Sequence, residues 1–146
     1  MSDAFSKITA ILLCVCMMFI IPVFYMREES ERLKQTYVLE EITLYVDGIR
    51  NTGILSMEDY DRLEAVLFNI GGGYRIEMSH STHLYDEEGA ITEYYATTNY
   101  TAQIMETFDH GNDYHLKKND YLRVVVYDRK NAIIAWYGGS VRYEAY

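Results

Sequence analysis

Four histidines, His80, His83, His110 and His115, are the side chains of this sequence best suited to acid–base or metal chemistry near neutral pH. His80-Ser81-Thr82-His83 has the look of a ligand pair, but residues three apart on a strand point to opposite faces, so a shared metal would need a bend there. His110 and His115 lie in Asp109-His110-Gly111-Asn112-Asp113-Tyr114-His115, which offers oxygen and nitrogen donors without the spacing of a metal loop. Asp86-Glu87-Glu88 reads as a solvated turn. Gly71-Gly72-Gly73 is followed by Tyr74-Arg75; a phosphate cradle needs a preceding strand and a following Lys and Ser or Thr, so the run reads as a turn. There is no Gly-x-Ser-x-Gly nucleophile, and both cysteines, Cys14 and Cys16, lie in an apolar run. That leaves residues 27–146 with neither a disulfide nor a cysteine-ligated zinc. These residues predict a protein that is not an enzyme and carries no cofactor or metal; the tyrosines read as core, with a sugar-binding surface as the other reading.

The elements that would hold such residues begin with residues 8–25, ITAILLCVCMMFIIPVFY, a run without charge flanked by Lys7 and by Arg27-Glu28-Glu29. A helix of roughly 20 apolar residues crosses a hydrocarbon core of about 30 Å. A removable secretory signal has a shorter apolar core and a small-x-small cleavage site, whereas this run ends Pro22-Val23-Phe24-Tyr25-Met26, so the flanks favour a retained anchor. The residues before Cys14 and Cys16 are too bulky for a lipoprotein signal. Lys7 and Arg27 nearly balance, with a slight lean towards an N-terminus inside and a C-terminal domain outside the cytoplasm.

Residues 30–50 repeat apolar positions at helical spacing, including Leu33, Tyr37, Val38, Ile42, Tyr45, Val46 and Ile49, and Gly53 supplies the stop. Within this stem helix Leu33, Tyr37, Ile42, Tyr45 and Ile49 form a candidate packing stripe for the domain or a neighbouring copy. Pro22 is expected to kink the span without ending it. Ser56 caps a second helix with the buried stripe Tyr60, Leu63, Leu67 and Ile70. Residues 74–80 alternate as a strand with Tyr74, Ile76 and Met78 inward, and 86–98 read as irregular. Residues 100–109 read as a third helix capped by Thr98 or Asn99, with Tyr100, Ile104 and Phe108 as its stripe. Strands follow at 121–127 and 132–137, joined by the hairpin Asp128-Arg129-Lys130-Asn131, and after Gly138-Gly139 a last strand at 141–144. The fold class is α+β, divided as a head (1–7), a transmembrane helix (8–26), a stem helix (27–53) and an acidic extracytoplasmic domain with a mostly antiparallel sheet (54–146).

From Glu28 onward there are 21 acidic residues (all but Asp3) and 11 basic ones (all but Lys7 and Arg27), a net of −10. Such a domain repels phosphate backbones, which excludes nucleic acid as a partner.

The block Tyr45-Val46-Asp47-Gly48-Ile49-Arg50-Asn51-Thr52-Gly53-Ile54-Leu55-Ser56-Met57-Glu58-Asp59-Tyr60, the strand Tyr74-Arg75-Ile76-Glu77 and the later Lys118-Asn119-Asp120-Tyr121 resemble small single-pass proteins of Gram-positive bacteria. Those proteins are associated with tight-adherence or type IV-like pilus and secretion gene clusters. The resemblance covers about residues 35–127, with Asn119 where the family usually has glycine. It implies a pilin-like, membrane-anchored component whose partners are the bilayer, through residues 8–26, and other pilus or secretion subunits, through the N-terminal helix. It also implies Ala4-Phe5 as a processing junction; the fifth residue is then Thr9, where pilins carry glutamate. The alternative is a membrane-anchored extracytoplasmic sensor or ligand-binding module using the tyrosine-rich face or His80 and His83.

Overall fold

The computed structural model describes residues 2–85, 88 and 91–143. The fold is α+β, and the chain divides into two compact units, the residues up to Lys34 and those from Gln35 onward. Helix α1 is one element, Ser2–Thr52, and continues through Pro22. In the first unit its surface is apolar and uncovered from Ile8 to Met26, then polar, with Arg32–Glu28 and Lys34–Glu31 ion pairs at 2.9 Å.

In the second unit, Val38, Ile42, Val46 and Ile49 of α1 enter the core because three- and four-residue steps keep them on one helix face. Gly53, at φ 72°, ends the helix with its N–H donating to the Ile49 carbonyl at 2.7 Å, a left-handed stop that favours glycine. Strand β1 (Ile54–Leu55) leads to helix α2 (Met57–Gly71). At its start the Ser56 hydroxyl accepts from the Asp59 N–H and donates to the Asp59 carboxylate at 2.7 Å, while Leu63 and Leu67 are buried.

The remaining elements are β2 (Arg75–Tyr85), β3 (Ile91–Tyr100), α3 (Thr101–Asp109), β4 (Tyr114–His115), β5 (Tyr121–Tyr127) and β6 (Ile133–Ser140). The main sheet runs β3-β2-β5-β6, antiparallel throughout, and β1 pairs with β4 beside it. Register puts Ile76, Met78 and His80 opposite Val126, Val124 and Leu122, so one sheet face closes on α1, α2 and α3. Val125 is buried outside that core, between the cross-strand neighbours Glu77 and Trp136.

Three expectations are corrected. Most of the segment expected to be irregular is strand: β3 covers 91–100, and its Thr- and Asn-rich pattern is that of an edge strand with little apolar alternation. Tyr100 therefore closes β3, is 61% exposed, and takes the N-cap place of α3 assigned to Thr98 or Asn99; its N–H is held by Gln103 Oε1 at 3.0 Å. The last strand expected at 141–144 is not one among the described residues. Instead β6 runs on through Gly138 and Gly139, with Gly138 under the Tyr121 ring and Gly139 under the Arg50 side chain. The expected turn at Asp86-Glu87 and Gly89 and the end of that last strand at Glu144 lie outside the described residues.

Asn119 stands at φ 72°, which gives the glycine implied by the resemblance a physical reason. Asn119→Gly is expected to leave stability within about 0.5 kcal/mol, whereas Asn119→Val should cost about 1–2 kcal/mol, because a branched side chain is strained in the left-handed region. Urea titration of the two variants checks this.

Candidate functional site

The most concentrated chemistry lies on the inner face of the sheet. His80 is in phase with Ile76 and Met78, so the alternation that makes β2 also turns an imidazole into the core. His80 and Asp120 are each 6% exposed, and Tyr114 is 8% exposed. The turn at Lys117–Asp120 delivers the carboxylate: the Lys117 N–H donates to Asp120 Oδ2 at 2.8 Å and the Asp120 N–H to the Lys117 carbonyl. Two further bonds, Asn119 N–H to the Val141 carbonyl and Val141 N–H to the Asp120 carbonyl, lock that turn to the chain after β6.

His80 Nε2 lies 2.9 Å from Asp120 Oδ2, and Nδ1 lies 2.6 Å from Tyr114 Oη. A carboxylate only accepts, so Nε2 carries the proton, and in the neutral ring Nδ1 then accepts from the Tyr114 hydroxyl. Asn99, opposite His80 on β3, donates to the same phenol oxygen. One hydrogen-bonded line thus joins β3, β4, β2 and the 117–120 turn, and no buried side-chain N or O among the described residues lacks a partner. The carboxylate–imidazole–hydroxyl order is that of an activated nucleophile, but the phenol oxygen is already engaged by both His80 and Asn99, and Tyr114 is buried.

Burial pushes the Tyr114 phenol above its ordinary value; the Asn99 hydrogen bond works the other way, and the Asp120 charge adds to the rise. Tyr60 is raised as well, by burial first, then by Glu64 and Asp61. A phenol with a higher pKa folded than unfolded is deprotonated first in the unfolded chain. Its stabilising contribution is full below about pH 10, the unfolded value, and is lost as pH climbs from there towards the folded value. The thermal midpoint should hold steady through mild alkali and fall above about pH 10, less steeply in Tyr60→Phe. A midpoint indifferent to pH up to about 11 contradicts the burial of these phenols.

The other singled-out residues are scattered. His83 is not joined to His80; its Nδ1 lies 2.9 Å from the Thr92 carbonyl and its ring lies on Tyr95. His110 is exposed and bonded to the Glu106 carbonyl, and His115 is exposed. No group of three His, Cys, Asp or Glu suited to a metal occurs among the described residues. Ala4 and Phe5 are exposed on α1. Of the stripe, Ile42 and Ile49 are buried, Tyr45 is half-buried with its hydroxyl on Met78 Sδ, and Leu33 and Tyr37 are exposed.

A second cluster accounts for the Asp47-to-Gly53 block. Arg50 Nη1 meets Asp47 Oδ1 at 2.6 Å, Arg50 Nε donates to the Ser140 carbonyl at 2.9 Å, and the Tyr137 hydroxyl donates to Asp47 Oδ1 at 3.3 Å. The Arg142 N–H bonds the Arg50 carbonyl. A Cβ at Gly139 would collide with the Arg50 guanidinium, so the glycine admits this clamp between helix end and β6.

The outer sheet face is aromatic and basic. Arg75 lies 4.7 Å from the Tyr127 ring centroid, Arg123 lies 5.0 Å from that of Trp136, and Tyr95 meets Tyr121. An open groove of about 690 Å³ includes Arg75, Glu77, Ser79, Tyr100, Arg123 and Tyr127 in its lining. The sequence offers Asn99 as a helix cap and Asp120 and Tyr114 within turn and loop segments, with no site role for them or for the Arg50–Tyr137 contact; the one local signal is the inward phase of His80.

Unit 1 contributes the remaining functional feature. α1 is long and apolar enough to be a candidate single membrane span, with a window of mean hydropathy 2.6, none of it buried within the chain. Comparison with family models, with curated proteins and with solved structures finds no match for this chain.

Proposed function

We propose that this protein is a non-enzymatic, single-pass membrane component of a pilus-like or secretion assembly, with its C-terminal domain outside the cytoplasm. The uncovered apolar window of α1 supports the membrane part of this reading, in a chain where, among the described residues, no buried side-chain N or O lacks a partner; the assembly part rests on the resemblance alone. An apolar stretch of that length in water is a liability that a bilayer removes. Residues 8–26 then act as the anchor and as the surface that meets the apolar helices of other subunits. The Tyr114–His80–Asp120 line acts as a structural tie, not as a reaction centre. Purification in mild detergent tests the assembly role. Other membrane subunits should accompany the full chain and be lost when residues 8–26 are exchanged for an unrelated apolar span; equal recovery with both spans contradicts it.

The arginine-on-aromatic pairs favour a second reading, an anchored ligand-binding module that uses the outer sheet face. Saturable binding that is lost in Arg123→Ala would support it.

A further inference from the structure

The strand order β3-β2-β5-β6 leaves two edges, and they differ in how well they are protected. β3 pairs with β2 through two register shifts, the irregularity that blunts an edge. β6 is the less protected edge. Its eight residues, Ile133 to Ser140, include no charge and no proline, and its one register shift lies at its start, opposite Val126 and Tyr127. Ile133 and Trp136 are 54% and 53% exposed along it. Among the described residues, no strand pairs with its outer side. Such an edge offers a row of N–H and C=O groups at strand spacing, and the chemistry that fits is another extended backbone.

We infer that β6 pairs antiparallel with β6 of a second copy, joining two sheets edge to edge about a twofold axis. Charge selects this strand. The domain is strongly acidic, yet β5 and β6 together carry a single charged residue, Arg123, and no carboxylate. The one carboxylate that touches β6, Asp47 on the Tyr137 hydroxyl, is paired with Arg50, so two copies meet there with less repulsion than at α2, which carries Glu58, Asp59, Asp61 and Glu64. The edge is self-complementary, as a twofold contact requires, because each strand presents the same alternating donors and acceptors to the other. At most eight residues pair, and the Ser140 carbonyl is already held by Arg50 Nε, so the interface is small. The inference therefore rests on the membrane anchoring proposed above, which holds copies at high local concentration.

The test uses the full chain, with Cys14→Ala and Cys16→Ala, reconstituted in liposomes. Single cysteines are placed on β6 (Ile133→Cys, Trp136→Cys, Ser140→Cys) and, as a control, on β3 (Thr98→Cys), then treated with a short bis-maleimide. Dimer yield should peak at one β6 position, decline on either side, and exceed the Thr98→Cys yield about tenfold. Adding Ile133→Lys and Ser140→Lys to the Trp136→Cys chain, whose position lies next to the axis, should lower its yield about tenfold, since 133 of one copy faces 140 of the other when the whole strand pairs. Equal yields on β3 and β6, or a yield unmoved by the lysines, overturns the pairing. So does a β6 crosslink that forms in native membranes only, to a protein of different mass. Liposome flotation is read in parallel: loss of flotation condemns the anchor, whereas retained flotation without the β6 crosslink condemns the pairing alone.

Discussion

Asp120→Ala is expected to destabilise the second unit by about 3 kcal/mol, the cost of breaking a buried hydrogen-bonded pair by removing one partner. Two donors lose their acceptor at once, the buried His80 Nε2–H and the part-buried Lys117 N–H. The turn that carries Asn119 in its left-handed conformation also loses an internal tie. Asp120→Asn keeps an amide oxygen for one of those donors and should cost nearer 1 kcal/mol. Thermal unfolding of the full chain in detergent measures both; at about 4 °C per kcal/mol the alanine variant should melt roughly 10 °C lower. An alanine variant as stable as the parent contradicts the view that this line of hydrogen bonds holds β2, β4 and the turn together.

The other large effect is on membrane retention. Met17 and Ile20 lie within the apolar run and are 56% and 50% exposed. An arginine at the centre of a span costs about 2.5–3.5 kcal/mol on insertion scales, so Met17→Arg with Ile20→Arg removes about 6 kcal/mol, roughly four orders of magnitude in partition. Alkaline carbonate washing of membranes should release the double variant and leave the parent behind. Leu33→Arg, on an exposed position beyond the run, should behave as the parent does. A parent chain released by carbonate contradicts a retained anchor and favours a removed signal.

Much of the fold is legible where one residue has one local job. Gly53 stops a helix because its φ is positive, Ser56 caps the next one, and Asp128 closes the hairpin by accepting from the Lys130 and Ala132 N–H groups. Leu122, Val124 and Val126 alternate into the core as strand periodicity requires. What was not legible depends on distant partners. β3 becomes a strand because β2 supplies a ladder for residues such as Thr97 and Asn99, and their own propensities argue weakly for it. The Tyr114–His80–Asp120 line joins residues 34 and 40 positions apart, and no spacing rule encodes the β4 pairing and the turn that bring them together. Arg50 reaching Ser140 across Gly139 is likewise visible only once β6 is seen to run through the two glycines.

The most direct test of the central claim, a single-pass anchor with an external domain, is protease shaving of intact cells, read with the intact mass of the chain recovered from unshaved membranes. Digestion of residues 27–146 in intact cells, with a recovered mass that retains residues 8–26, is the predicted result. A domain protected until the cells are lysed, or a mature chain that begins after residue 26, contradicts it.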